Sequence, residues 1–290
     1  MDWKPAVETF LSTQTGKKVT ISSIQSVGGG SINSAFRIET AEGTFFVKLN
    51  SATRFPGMFE KEARGLSLLS AASELRLPEV IGFSEHPPQA FLLLKFIETG
   101  KPGPRFWETF GSGLARLHQH TAPRFGLDHD NYIGSLDQSN RFHNTWETFF
   151  VEERLQPLMI RAFNDGLLDK NDLLAFEKFF HSVGHIFPEE PPALLHGDLW
   201  SGNFMVDASG NPVLIDPAVY FGHREMDLAM SKLFGGFHPY FYQAYHHEKP
   251  LAPGWEKRLD FCNLYPLLVH VNLFGGSYTY DVRTILKPFY

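Results

Sequence analysis

PALLHGDLWSGNFMVDASGNPVLIDPA, residues 192–218, sets three polar side chains, Asp198, Asn203 and Asp216, among apolar runs that read as core. Residues 204–206 and 212–215 predict two short strands, joined by the turn-rich DASGN of residues 207–211. Asn203 then stands where the first strand starts and Asp216 where the second ends. A tight hairpin would bring these ends together, with Asp198 delivered beside them by the preceding loop. Singly, each residue could be an ordinary strand-end cap. Together, in this order, they suit a metal ion and a hydroxyl nucleophile.

Upstream of this stretch the chain predicts a short amphipathic helix over residues 2–14, carrying Trp3, Val7, Phe10 and Leu11 on one side. Strands over 19–27, 35–39 and 44–49 follow, in the pattern of an antiparallel meander. Its first connection, residues 28–34, is GGGSINS. Glycines there leave backbone N–H groups open to an anion, although an ordinary hairpin reads the same way. No GKS or GKT follows, so this is not the standard phosphate loop of the strand-to-helix nucleotide folds. The third strand carries Lys48 directly after Phe45, Phe46 and Val47. A helix over 58–72 then lines up Phe59, Glu62, Leu66 and Leu69 at three- and four-residue spacing, which puts Glu62 on a buried-looking stripe. A carboxylate buried there needs a cationic partner, and Lys48 is the natural one.

Strands over 77–82 and 90–96 complete the first unit, and ETGKPGP, residues 98–104, is the best linker in the chain. Two lobes are therefore expected, residues 1–98 and 99–290. Beyond the linker the pattern turns helical: 106–120, 146–162 with a break near Pro157, 173–185, a helix ending at Phe234, 240–245 and 255–274. His118 reads as a packed histidine at a helix end. Residues 131–134, NYIG, are expected to line a substrate entrance.

Composition narrows the function classes. With 290 residues and a formal charge of -6, nothing points to nucleic acid or to an anionic membrane as partner. No apolar run reaches the length of a membrane span, and the N-terminus has no basic-then-apolar signal pattern. The single cysteine, Cys262, excludes an intrachain disulfide or a thiolate cluster and is consistent with a cytoplasmic location. The zinc-protease HExxH, the GxSxG nucleophile elbow and paired CxxC motifs are absent.

The ordered set of glycine-rich turn, strand lysine, helix glutamate, linker, Asp198, Asn203 and Asp216 resembles the protein-kinase-like fold. More narrowly, the chain resembles the fructosamine kinases, relatives of aminoglycoside and choline kinases. The segments that carry this likeness are GGGSINSAFRI, TFFVKLN, MFEKEARGLSLL, FLLLKFIE, GLARLHQH, FGLDHDNYIGSLDQSN, LLHGDLWSGNFMV, VLIDPAVYFGHREMDLAM and LFGGF, together spanning nearly the whole chain. The resemblance implies an α+β, two-lobed fold: a small N-terminal antiparallel sheet plus helix, and a larger, mostly helical C-terminal lobe. It implies ATP and Mg2+ as cofactors, and phosphorylation of a sugar hydroxyl, usually at the third carbon, of a small-molecule ketoamine or a glycated lysine, possibly on a protein. An aminoglycoside, a choline-like alcohol or a free sugar is the alternative acceptor.

Residue by residue, the resemblance makes Asp198 the catalytic base, with Lys48 contacting the early ATP phosphates and Glu62 holding that lysine. Gly28, Gly29, Gly30, Ser31 and Asn33 would cover the ATP phosphates, and Lys95, Phe96 and Ile97 would form the adenine hinge. Asn203 and Asp216 would hold the metal, and Asp227 would steady the catalytic loop. Trp200 stands where protein kinases commonly place a lysine, which favours a small-molecule acceptor. Trp200 and His223 are candidate substrate contacts.

Overall fold

The computed structural model describes residues 3–28 and 32–290. After α1 (Lys4–Thr15) come β1 (Ile21–Val27), β2 (Ser34–Thr40), β3 (Gly43–Ser51), α2 (Met58–Ala72), β4 (Val80–Ser84) and β5 (Gln89–Lys95). The strands form one antiparallel sheet in the order β1-β2-β3-β5-β4.

Side chains alternate between the two faces of a strand, and here the alternation decides the chemistry. Phe45, Val47 and Leu49 of β3, with Phe91 and Leu93 of β5, pack against Val7 and Leu11 of α1. The opposite parity, Leu92 and Leu94 of β5 with Phe46 of β3, meets Phe59, Ala63 and Leu66 of α2. Lys48 has the parity of Phe46 and pairs with Leu92 across the ladder, so it must point at α2. Gly57 precedes α2 in a left-handed conformation and has no side chain to cap the helix. Glu85 does so from a distance, accepting the backbone N–H groups of Phe59 and Glu60 at 3.0 and 3.2 Å.

The second lobe is mostly helical, as expected. It contains α3 (Phe106–Leu117), the hairpin β6 (Asn131–Ile133) and β7 (Leu136–Gln138), α4 (Trp146–Phe149), α5 (Gln156–Asn164), α6 (Lys170–Phe180) and α7 (Val183–Ile186). Then come β8 (Ala193–Leu195), β9 (Phe204–Val206), β10 (Pro212–Leu214), β11 (Tyr220–Gly222), α8 (Glu225–Leu233), α9 (Pro239–Glu248), α10 (Trp255–Phe274) and α11 (Thr279–Leu286). The break expected near Pro157 lies earlier: Phe150–Leu155 form a π-type turn, and Pro157 sits in the first turn of α5, where a missing N–H costs nothing. The predicted hairpin is present as β9 and β10. The flanking pair β8–β11 is set by contacts distant in sequence and has no local signature. Among the described residues, no helix is long and apolar enough to cross a membrane.

Candidate active site

Lys48 emerges from the sheet into a pair of carboxylates. Its Nζ lies 2.7 Å from Glu62 Oε1 and 3.1 Å from Asp216 Oδ1. Burial alone would lower the lysine pKa, but the two carboxylates outweigh it and hold the ammonium above its ordinary range. The bridge to Asp216 joins the sheet to the hairpin of the other lobe. Asp216 adopts φ 53, a left-handed conformation uncommon for a residue with a side chain, at the exit of β10.

The loop between β8 and β9 is fixed from below by Asp227 of α8. Its Oδ2 accepts the His196 N–H at 2.8 Å, and its Oδ1 accepts the Gly197 N–H at 2.9 Å. His118 Nε2 lies 3.2 Å from Oδ2 while Nδ1 faces the Tyr245 hydroxyl at 2.7 Å. Burial lowers the His118 pKa, so the ring is neutral, with Nε2–H donating to Asp227 and Nδ1 accepting from Tyr245. Gly197 is required: at φ 84 its missing Cβ would stand 2.0 Å from the Ala218 carbonyl oxygen. Asp227→Asn leaves one acceptor oxygen for three donors. We expect a loss of about 2–3 kcal/mol in unfolding free energy by urea titration; an unchanged midpoint would remove Asp227 from this supporting role.

On this loop Asp198 is half-buried, and Asn203 Nδ2 donates to both its Oδ2 and its backbone carbonyl at 2.8 Å. Burial pushes the Asp198 carboxyl up to about 7; the Asn203 hydrogen bond opposes this, while Asp216 and Asp227 add to it. The hairpin closes the arrangement. Ile215 N–H donates to the Asn203 carbonyl at 3.1 Å, and the Ile215 carbonyl accepts from His196 Nε2 at 2.9 Å. Asn203 spends its amide hydrogens on Asp198, which leaves its side-chain oxygen as the group free to meet a cation. That oxygen and the half-exposed Asp216 carboxylate form the oxygen-only donor set a hard divalent ion takes.

The structure therefore brings Lys48, Glu62, Asp198, Asn203 and Asp216 to one cleft. Other candidates fall elsewhere. Gly29, Gly30 and Ser31 lie outside the described residues; Gly28 borders them, and Asn33 keeps a buried side-chain oxygen with no partner among the described residues. Lys95 and Phe96 donate their backbone N–H groups to the Glu79 and Thr44 carbonyls at 2.9 and 3.2 Å, so those two N–H groups are not open to a base edge. His223 is a correction. It is fully buried, with Trp146 and Phe187 against its ring at 5.7 and 5.4 Å, and so is closed to a substrate. Trp200 is partly exposed on the outer rim, its ring over Gly202 and edge-on to Phe234 at 5.9 Å. The cavity beside Asp198 is instead walled by Met226, Met230, Tyr265, Val269 and His270. These residues read in sequence only as helix core.

The fructosamine kinase profile matches residues 3–289. The chain belongs to the fructosamine kinase family. A probable ketoamine kinase of Enterococcus faecium is 42% identical over 265 residues, covering 91% of this chain and 94% of the relative. The chloroplastic protein-ribulosamine 3-kinase of Arabidopsis thaliana is 37% identical over 279 residues, covering 94% and 84%. The crystal structure of a candidate fructosamine-3-kinase from Thermobifida fusca matches with TM-score 0.87 at 34% identity, covering 97% of each chain. This fructosamine kinase family chain also shares its fold with an aminoglycoside phosphotransferase, at TM-score 0.64 and 15% identity over 98% of each chain.

Proposed function

We propose that this member of the fructosamine kinase family transfers the terminal phosphoryl group of ATP to a sugar hydroxyl of a ketoamine. The observation that carries the reading is the position of Asp198: one wall of a cavity in the helical lobe, on the same loop-and-hairpin unit as Asp216, whose carboxylate meets Lys48 of the sheet at 3.1 Å. Residues 1–98 would bind the nucleotide and residues 99–290 the acceptor. Asp198 orients the acceptor hydroxyl and receives its proton as the phosphoryl group moves; a carboxyl pushed up to about 7 is matched to that task near neutral pH. Lys48, held charged by Glu62 and Asp216, offsets negative charge on the phosphates. Asn203 and Asp216 would hold Mg2+, which when bound neutralises charge on the phosphate oxygens. No covalent intermediate on the protein is needed, and positioning supplies most of the rate.

Trp200 in place of the lysine common in protein kinases favours a small acceptor, and glycated lysine carried on a protein fits the same chemistry where the partly open rim allows it. An acceptor panel under saturating Mg-ATP tests the reading, with fructosyl-lysine and ribulosyl-lysine set against an aminoglycoside, choline and a free sugar. We expect a ketoamine to exceed the others in kcat/KM by at least about tenfold, a discrimination of one well-placed polar contact. Equal or better turnover of any of the others would displace the ketoamine assignment.

A further inference from the structure

Among the described residues Arg154 is the largest fully buried side chain, and none of them gives its guanidinium a carboxylate partner. It enters from the π-type turn between α4 and α5 and lies over the rings of Tyr220, Phe149 and Tyr265, at 4.0, 4.5 and 5.5 Å. Burying a cation without a counter-ion is costly, even with aromatic faces around it, so the position calls for a reason.

The reason lies in what the guanidinium touches. It donates to the Ser139 carbonyl at 2.5 Å and to Asn140 Oδ1 at 2.6 Å. Arginine can only donate, so Asn140 must present its oxygen there and turn its Nδ2 outward. That Nδ2 donates to Asn131 Oδ1 at 3.0 Å, which in turn forces Asn131 Nδ2 onto the Val219 carbonyl at 2.8 Å. Tyr265 acts in the same sense from the other side. Its hydroxyl donates to Gln138 Oε1, leaving Gln138 Nε2 for Asn131 Oδ1 at 2.6 Å and the Ala218 carbonyl at 3.3 Å. An amide can be reversed by a half-turn at little steric cost; a chain of amides anchored on a donor-only group has one direction.

The chain ends on the residues that follow Asp216. Ala218 N–H donates to the His196 carbonyl at 2.9 Å, so this backbone is held between the β6–β7 hairpin on one side and the Asp198 loop on the other. A left-handed aspartate persists only where its surroundings over-determine it. We infer that Arg154 is a positioning residue: through Asn140 and Asn131 it locks the backbone after Asp216 and so keeps that carboxylate aimed at the metal. The inference rests on the proposed role of Asp216 as a metal ligand.

Calorimetric titration with ADP, in the presence and absence of Mg2+, tests it on the full chain. The quantity read is the gain in ADP affinity that Mg2+ confers. Arg154→Met should lose about 10- to 100-fold of that gain, the usual cost of removing a supporting partner of a metal ligand, with metal-free ADP affinity within about twofold of the parent. Should Arg154→Met fail to fold, Asn131→Leu cuts the same chain at Val219 while leaving Arg154 its contacts with Ser139 and Asn140, and the same loss is expected. A gain equal to the parent's in a folded variant, or a parallel fall with and without the metal, overturns the inference. Asp216→Ala separates the two layers: if it retains the Mg2+-dependent gain, the metal assignment itself fails and this inference with it.

Discussion

Asp198→Asn lowers turnover at least about 100-fold, the scale of general-base assistance, while leaving ADP affinity close to that of the parent. The side chain keeps its size, and an oxygen can still accept from Asn203 Nδ2, so the loop geometry survives and only proton acceptance is removed. The same substitution should stabilise the nucleotide-free protein, and the sign follows from the direction of the shift. Asp198 is raised from 3.8 to about 7 by burial. Below pH 4 both folded and unfolded chains carry the proton, and the residue is neutral toward stability. Between pH 4 and 7 the unfolded chain releases it while the folded one retains it, so folding is progressively disfavoured, fully so above pH 7. Asparagine has nothing to ionise. Its advantage should grow across that window to about 2 kcal/mol, half of what the whole shift implies because the carboxyl is partly open to water. Denaturant titrations at pH 4 and pH 8 read this directly, and kcat/KM of the parent should fall as pH drops below 7. A variant with near-parental turnover would remove Asp198 from the chemistry.

How much of this could be read from residue order alone depends on the range of the interactions. The five-residue run 45–49 fixes the parity of Lys48, and 59, 62, 66 and 69 fix the face of Glu62, so the pair that meets at 2.7 Å was encoded in two local periodicities. The hairpin carrying Asn203 and Asp216 was equally local. What stayed hidden is built from contacts across long stretches of chain. Asn131 reaches the Val219 carbonyl 88 residues away, and Arg154 takes its direction from a turn that neither hydropathy nor proline placement marks. His223 was misread for the same reason: a histidine beside a functional-looking segment gives no sign that Trp146 and Phe187 will cover it. The hinge was legible only in part. Lys95 and Phe96 lie in the right segment, but which backbone N–H groups remain free depends on the ladder register, and the register assigns theirs to Glu79 and Thr44.

Lys48→Met is the other substitution with a large expected effect, and its two consequences can be separated. It removes the cation from the cleft, so kcat/KM for ATP should fall by about 100-fold or more, comparable to losing one preorganised donor at a developing charge. It also strands Glu62, whose side chain is 11% exposed, without its partner at 2.7 Å. Breaking a buried pair from one side costs about 3–5 kcal/mol, largely the penalty of the remaining charge. Lys48→Met/Glu62→Leu removes both charges and should recover most of that stability against Leu92 and Leu66 while remaining as inactive as the single variant. Urea midpoints and kcat/KM on the parent, the two single variants and the double give the full cycle. If activity returned together with stability in the double variant, Lys48 would be a structural cation, and the charge that meets the phosphates would have to come from another residue. If stability returned and activity did not, the cost of burying the pair would be justified only by what the ammonium does in the cleft, as its bridge to Asp216 across the two lobes implies.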